Sequence, residues 1–424
     1  MTVIADKSLL FSLKDHLKDN ALKIIILVLF ALVYMHYFFN ASFRHFNISI
    51  VFILLSAYCI FKSKFIKPNQ YLILFCSIGF LGVTLMNHLT IRLDLIPEHL
   101  YRTYKAIINQ YLWFIPFILL PTIYHYSRFK VTDFFNIIAA IIFILILYLA
   151  YWGIALEFDR GRFAEFFNPV ISYDIGFISL SLLLLCYSFG SSSRKSYLYL
   201  ILSMLCIFLL VLHGSRGTWV GLPFAFLVIT ILYLKSQLKK TLLMWVLACT
   251  FILGNLITPN SPVVQRMNHF QDDSQHIQNN NYQNSSGIRL YLWENGLVMF
   301  KQNPVIGIGM HEIELENCRL YERGDLPHCF QHLHSIYVHE LAANGLIGLL
   351  TLLSTFFVAI AYFLKNMWVK DELTRNLSVT GVVFVVYYMF CGLTEYYLFF
   401  NNTTYIFYWV VASIMSFILI RDKV

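Results

Sequence analysis

The chain has 424 residues, of which 58% are apolar, 17% aromatic and only 13% charged. Ordinary soluble domains carry about 25% charged residues, so a soluble globular chain of this length is excluded and lipid is the solvent that fits. The net charge of +8 then reads as Lys and Arg anchoring the loops of a membrane protein, not as a nucleic-acid footprint.

Residues 1–20 are polar, and the apolar run that follows is too long for a signal-peptide core, so the first helix is expected to be an uncleaved anchor. Stretches long enough to cross about 30 Å of hydrocarbon then recur along the chain. They predict an all-α polytopic membrane protein of about twelve transmembrane helices: 23–39, 46–61, 70–86, 107–124, 134–154, 170–189, 197–213, 218–234, 241–257, 343–364, 377–394 and 404–420. Helices are required because an open sheet cannot satisfy its backbone in lipid. The chain divides into helices one to nine (1–257), one long outer loop (258–342) and helices ten to twelve (343–424). Most of the 31 Lys and Arg fall in segments that share the N-terminal side, which predicts that both termini are cytoplasmic.

Within the long loop, Gln271–Ser286 is rich in Asn, Gln, Asp and Ser and is expected to be mobile. Ile288–Phe300 has Leu and Trp at helical spacing and predicts an amphipathic helix near the membrane surface. Asn303-Pro304 ends it, and Gly307-Ile308-Gly309 is a turn. Six cysteines lie in apolar runs and act as small hydrophobes; Cys318 and Cys329 lie in the loop.

The middles of the spans hold almost no Asp, Glu, Lys or Arg, where transporters place their relays and ion sites. Ionisable residues collect instead at the outer ends and loops: Arg160, Arg162, Asp174, His213, Arg216, Arg289, His332, His334, His339, Glu340 and Glu395. Arg216, in His213–Trp219, either snorkels to lipid phosphates or binds a ligand between flanking glycines. Gly287-Ile288-Arg289 with Trp293 reads as a surface anchor or as a site. His332 and His334 stand two apart in a loop. Metal binding with His311, His328 or Cys329 lacks paired ligand spacing; a base is the sharper alternative, since neutral imidazole accepts a proton near pH 7.

Together these segments resemble the O-antigen ligase and polymerase family of bacterial membrane glycosyltransferases. SRGTWVGL (Ser215–Leu222), RLYLWENGLVMFKQNPVIGIG (Arg289–Gly309) and HLHSIYVHELAANGLIGLL (His332–Leu350) carry the likeness, with a weaker match at RFAEFFNPVISY (Arg162–Tyr173). Ser335 stands where Asn is usual in the family, and Met310 where a further Gly is common. The resemblance implies a GT-C type fold in the bacterial inner membrane, with the active site on the periplasmic side. It implies a metal-independent, inverting transfer of O-antigen from undecaprenyl pyrophosphate to the lipid A-core oligosaccharide, with no cofactor. His334, Arg216 and Arg289 are the implied catalytic residues. Arg160, Arg162, His332, Trp293 and Glu340 are substrate-binding candidates, and Glu340 or Glu395 a positioning partner of His334. In an oxidising compartment Cys318 and Cys329 are expected to form a disulfide. The alternatives are a polymerase that extends a lipid-linked repeat and, from another class, a polysaccharide flippase.

Overall fold

The computed structural model describes residues 65–88, 111–156, 170–259, 261–279, 282–399 and 401–421, with isolated positions at 21, 25, 54, 57, 58, 60 and 61. The expected spans 23–39 and 46–61 fall outside the described residues apart from those positions, as do Arg160, Arg162 and the Asn-Pro stretch that follows them. Everything regular among the described residues is helical. Ahead of the loop region come α1 (Gln70–His88), α2 (Tyr111–Tyr126), α3 (Val131–Leu156), α4 (Val170–Ser188), α5 (Arg194–Val211), the short α6 (Arg216–Trp219) continuing as α7 (Gly221–Tyr233), and α8 (Leu238–Ile257). The loop region holds α9 (Pro262–Gln278), α10 (Ser285–Gln302) and α11 (Met310–Glu322). Then come α12 (Ile336–Met367), α13 (Glu372–Cys391) and α14 (Asn401–Arg421). Eight of these segments are long and apolar enough to cross a membrane.

Helices that are apolar all round belong in the centre of a bundle, and α4 and α14 are almost wholly enclosed. Three of the α4 serines fit that interior because Ser179, Ser181 and Ser188 donate to carbonyls three or four residues back, which pairs their hydroxyl hydrogens inside the helix. Stacked aromatics fill the contacts with α14, among them Tyr124 and Phe417 at 4.7 Å. By contrast α8 turns most of its surface outward, with Leu253, Leu256 and Ile257 exposed, as a lipid-facing helix should.

Cross-contacts sort the connections into two ends. At one end, Arg421 closing α14 pairs with Asp371 before α13 at 2.7 Å, and the buried Lys240 of α8 donates to the carbonyls of Ser188 and Ser191 between α4 and α5. At the other end lie the α5–α6 turn, the long loop and the α13–α14 connection, joined by Thr394 Oγ1 donating to the Gly217 carbonyl (3.5 Å).

The loop departs from expectation. It holds more helix than its composition suggests: α9 runs through the first half of Gln271–Ser286, to Gln278. The apolar residues Val263, Met267, Phe270 and Ile277 of α9 fall on one face, but Met267 and Phe270 are exposed. Ser261 caps the helix by accepting from Val264 N–H, Pro262 opens it, both favourable at these positions, and Asp273 is tied to groups outside the helix. The tenth span also begins earlier than hydropathy suggests, at Ile336, and is broken at Gly345 (φ 63°, ψ −155°). A second small core lies under the loop: Leu292 and Met299 of α10, Ile313 and Leu320 of α11, Leu333, and Ala342 and Ala343 of α12. Leu290, Leu297 and Val298 of α10 face out.

Candidate active site

The break in α12 organises the site. A helix interrupted at membrane depth must have its freed backbone groups satisfied by protein. Here Pro304–Gly309 does this as an edge laid along the break. Ile308 and Gly309 N–H donate to the carbonyls of Ala342 and Ala343, both at 2.9 Å, while Leu346 and Ile347 N–H donate to those of Pro304 (2.9 Å) and Val305 (3.2 Å). The approach is close enough that a Cβ on Gly307 would lie 2.3 Å from the Ala343 carbonyl, and one on Gly345 2.4 Å from Val305. This is the physical reason for the Asn-Pro-x-x-Gly-x-Gly spacing: it docks α10 onto the broken span.

Upstream, Asn284 caps α10 by accepting from Gly287 N–H at 2.8 Å. Arg289 and Trp293 lie one turn apart on one side of that helix. Downstream, Ser335 caps α12 by accepting from Val338 N–H and also donates to the Gly392 carbonyl, each at 3.4 Å. Ser and Asn are comparable at an N-cap, so Ser335 performs the task for which the family residue suits. Met310 is the first residue of α11. His334 just before the cap has φ +50°, uncommon for a non-Gly residue, although His is among the side chains enriched there. Its backbone N–H donates to His332 Nδ1 at 3.3 Å.

Glu395, in the α13–α14 connection and 5% exposed, is the hub. One oxygen accepts from Arg289 Nη2 at 2.6 Å. The other lies 3.6 Å from His334 Nδ1, ion-pair distance but longer than a hydrogen bond. Gly217, next to Arg216, abuts the same carboxylate: a Cβ there would sit 2.8 Å from Glu395 Oε1. Arg216 reaches across to α9, where Asp273 Oδ2 accepts from its Nη2 at 3.0 Å and from Ser286 Oγ at 2.7 Å. Arg216, Arg289 and His334 are thus brought to one end of the bundle and linked through two carboxylates.

The two arginines differ. Arg289 also donates to the Thr394 carbonyl and to Ser285 O and Oγ, so four of its five N–H groups are engaged. Arg216 donates to Asp273 alone in side-chain hydrogen bonds and faces the Phe270 ring at 6.0 Å. Its buried Nη1 has no hydrogen-bond partner among the described residues. Burial raises the Glu395 carboxyl, but the imidazole of His334 and the guanidinium of Arg289 outweigh it and hold the group below its ordinary value. His332 is pushed well below the ordinary histidine value, first by burial and then by His334, His339 and Arg289; it stays neutral.

Glu340 does not join this constellation. It is buried, accepts from Tyr396 OH (3.2 Å) and Asn344 Nδ2 (2.8 Å), and stabilises the helix ahead of the break; it does not contact His334. Trp293 is half-buried, one turn beyond Arg289. Cys318 and Cys329 are joined in a disulfide, Cα to Cα 4.4 Å, so Cys329 is no thiolate ligand. Behind Arg216, His213 and Asp174 form a buried pair at 2.9 Å that anchors the turn. Sequence reading missed Asp273, one of two adjacent aspartates in a stretch without apolar pattern. It underweighted Glu395, whose signal was its position at the outer end of a span with no cation beside it in sequence.

Comparison with known proteins agrees with these landmarks. A family model described as O-Antigen ligase matches residues 201–353. An uncharacterized protein of Haemophilus influenzae is 27% identical over 251 residues, 58% of this chain and 62% of that protein. The O-antigen ligase of Escherichia coli K12 is 25% identical over 199 residues, 45% of this chain and 47% of the relative. The chain therefore matches less than two thirds of either relative's length. Residues 201–353, which hold Arg216, Arg289 and His334, are thus the part of the chain that matches the O-antigen ligase family model.

Proposed function

We propose that this protein is an inverting, metal-independent glycosyltransferase of the bacterial inner membrane, of GT-C type. In this reading it transfers O-antigen polysaccharide from undecaprenyl pyrophosphate to the lipid A-core oligosaccharide, with both termini cytoplasmic and the chemistry periplasmic. The observation that supports it most is the Glu395 hub, which gathers a guanidinium, an imidazole and the Arg216 turn at the end of the bundle where the long loop lies.

The roles follow from the donors each residue has left. Arg216, with Nη1 unpartnered, binds the pyrophosphate; a guanidinium suits phosphate oxygens because it is planar, permanently charged and forked. Arg289 is mainly an organiser, holding Glu395 in place and adding positive charge as the sugar–phosphate bond breaks. Glu395 is a positioning residue. When the 3.6 Å contact tightens on substrate binding, as catalytic contacts often do, it orients Nδ1 and leaves Nε2 as the base. His334 Nε2 then takes the acceptor hydroxyl proton while the oxygen attacks the anomeric carbon. The carbon–oxygen bond to phosphate breaks in the same displacement, and undecaprenyl pyrophosphate leaves with its electron pair. Trp293 and His332 line the approach. In this reading 258–342 is the periplasmic unit between the two sets of spans.

The test is transfer by purified protein from lipid-linked O-antigen to a core acceptor, expected to persist in chelator. A chelator-sensitive activity restored by added metal contradicts the arginine account. A deletion strain with bare core supports ligation; one with core plus a single repeat contradicts it and indicates polymerisation.

A further inference from the structure

At the end of the bundle away from the candidate active site is a cavity of about 410 Å³. Three long helices begin at its wall: α3 with Thr132 and Asn136, α5 with Ser193 and Lys195, and α13 with Glu372. Each N-terminus carries the positive end of a helix dipole.

One side of the cavity is built from donors. Lys195 Nζ is held on Asn136 Oδ1 at 2.7 Å, which leaves two of its three N–H groups to donate. Ser191 Oγ accepts from Ser193 N–H, and Ser193 Oγ from Ser196 N–H; both hydroxyls retain their own hydrogens. Beneath them the buried ammonium of Lys240 is committed to Ser188, Ser191 and Ser196 and adds fixed positive charge below that wall.

The lining also holds acceptors. Asn376, 2% exposed, spends Nδ2 on the Cys186 carbonyl and Tyr233 OH. Its Oδ1 is buried with no partner among the described residues, and the amide lies against Gly190, another lining residue. Leaving a buried acceptor unmade costs about 1–3 kcal/mol, so the cavity calls for a donor there. Glu372 adds an exposed carboxylate. Asp371 adds none, because Arg421 and the Thr374 hydroxyl and N–H occupy its oxygens.

A molecule matching both sets of groups has an anionic group for Lys195 and the α5 N-terminus and a cationic donor for Asn376 and Glu372, and fits within about 410 Å³. We propose that this cavity binds the phosphoethanolamine group, with phosphate on the Lys195–Ser193 side and ammonium on the Asn376–Glu372 side. The cavity sits where spans α3, α5 and α13 leave the bilayer, which favours a membrane aminophospholipid as the carrier over free phosphoethanolamine. This inference is independent of the proposed transferase activity.

The experiment is native mass spectrometry of the full chain in detergent with equal palmitoyl-oleoyl phosphatidylethanolamine and phosphatidylglycerol, and melting curves to check folding. The wild type is expected to retain one phosphatidylethanolamine in preference to phosphatidylglycerol. Lys195→Glu is expected to weaken that retention by about tenfold or more, the scale of one lost charge-assisted hydrogen bond. Glu372→Lys is expected to abolish the preference for the amine-bearing lipid. Both side chains are exposed, so neither change should lower the melting temperature much. Lys195-dependent stabilisation by free O-phosphoethanolamine but not by the lipid keeps the site and assigns a soluble ligand. Equal retention in wild type and both variants, or no stoichiometric retention by the wild type of either form, overturns the proposal.

Discussion

The two ends of the bundle handle charge in opposite ways. Away from the candidate active site, the Asp371–Arg421 pair has both side chains more than 40% exposed and joins two spans at the membrane boundary. At the site end, the Arg289–Glu395 and Arg216–Asp273 pairs are largely buried, their side chains 21% and 6%, and 23% and 12% exposed, and each crosses between a loop helix and another element. Removing ions from water costs several kcal/mol apiece, and the attraction recovers that only with good geometry. Exposed pairs contribute about 0–1 kcal/mol. The buried set is therefore a poor way to stabilise a fold; charge held half out of water is what the proposed pyrophosphate site would use.

That contrast can be broken by substitution. His334→Ala is expected to lower transfer by roughly 10²–10⁴-fold, the usual worth of a positioned base, with the protein still in the membrane by immunoblot. Arg216→Lys should cost roughly 10²–10³-fold in turnover, since an ammonium cannot reproduce the fork, whereas Arg421→Lys at the opposite end should leave transfer unchanged. Gly345→Ala should destabilise by roughly 2–4 kcal/mol through strain and backbone overlap, read as a lower melting temperature. Gly254→Ala, on a helix position with nothing within 4 Å of the added carbon, should stabilise by about 0.5–1 kcal/mol.

The gentlest effect is on acid stability. His332 and Glu395 both have depressed values in the folded chain, so the unfolded chain binds more protons as pH falls. The His332 contribution is complete above about pH 6.5 and the Glu395 contribution above about pH 4.5; each is lost as pH drops through the folded value. Melting temperature should begin to fall near pH 6.5 in wild type, and the lower part of the decline should shrink in Glu395→Gln.

Hydropathy made the described spans legible because a bilayer imposes length and apolarity on every helix. It misplaced the start of α12 because Ile336–Asn344 is polar enough to resemble a loop, yet Ser335 caps it and α10 covers it. The His-x-His and Arg positions were legible as residue types, and Glu395 as one of two candidate partners of His334, but the partners of the arginines were not. Asp273 and Glu395 lie 57 and 106 residues from the arginines they pair with, and no local pattern encodes a contact of that range. The run around Asp273 gave little helix signal because Ile277 is the one apolar residue in Gln271–Gln278.

The most direct test of the central claim is an experimental structure of the full chain with a polyprenyl pyrophosphate-linked sugar bound. The account predicts the pyrophosphate within hydrogen-bond reach of Arg216 Nη1, beside Arg289, with the anomeric carbon facing His334 Nε2. A pyrophosphate bound at the opposite end of the bundle, or seated at the loop end out of reach of Arg216 and His334, would contradict it.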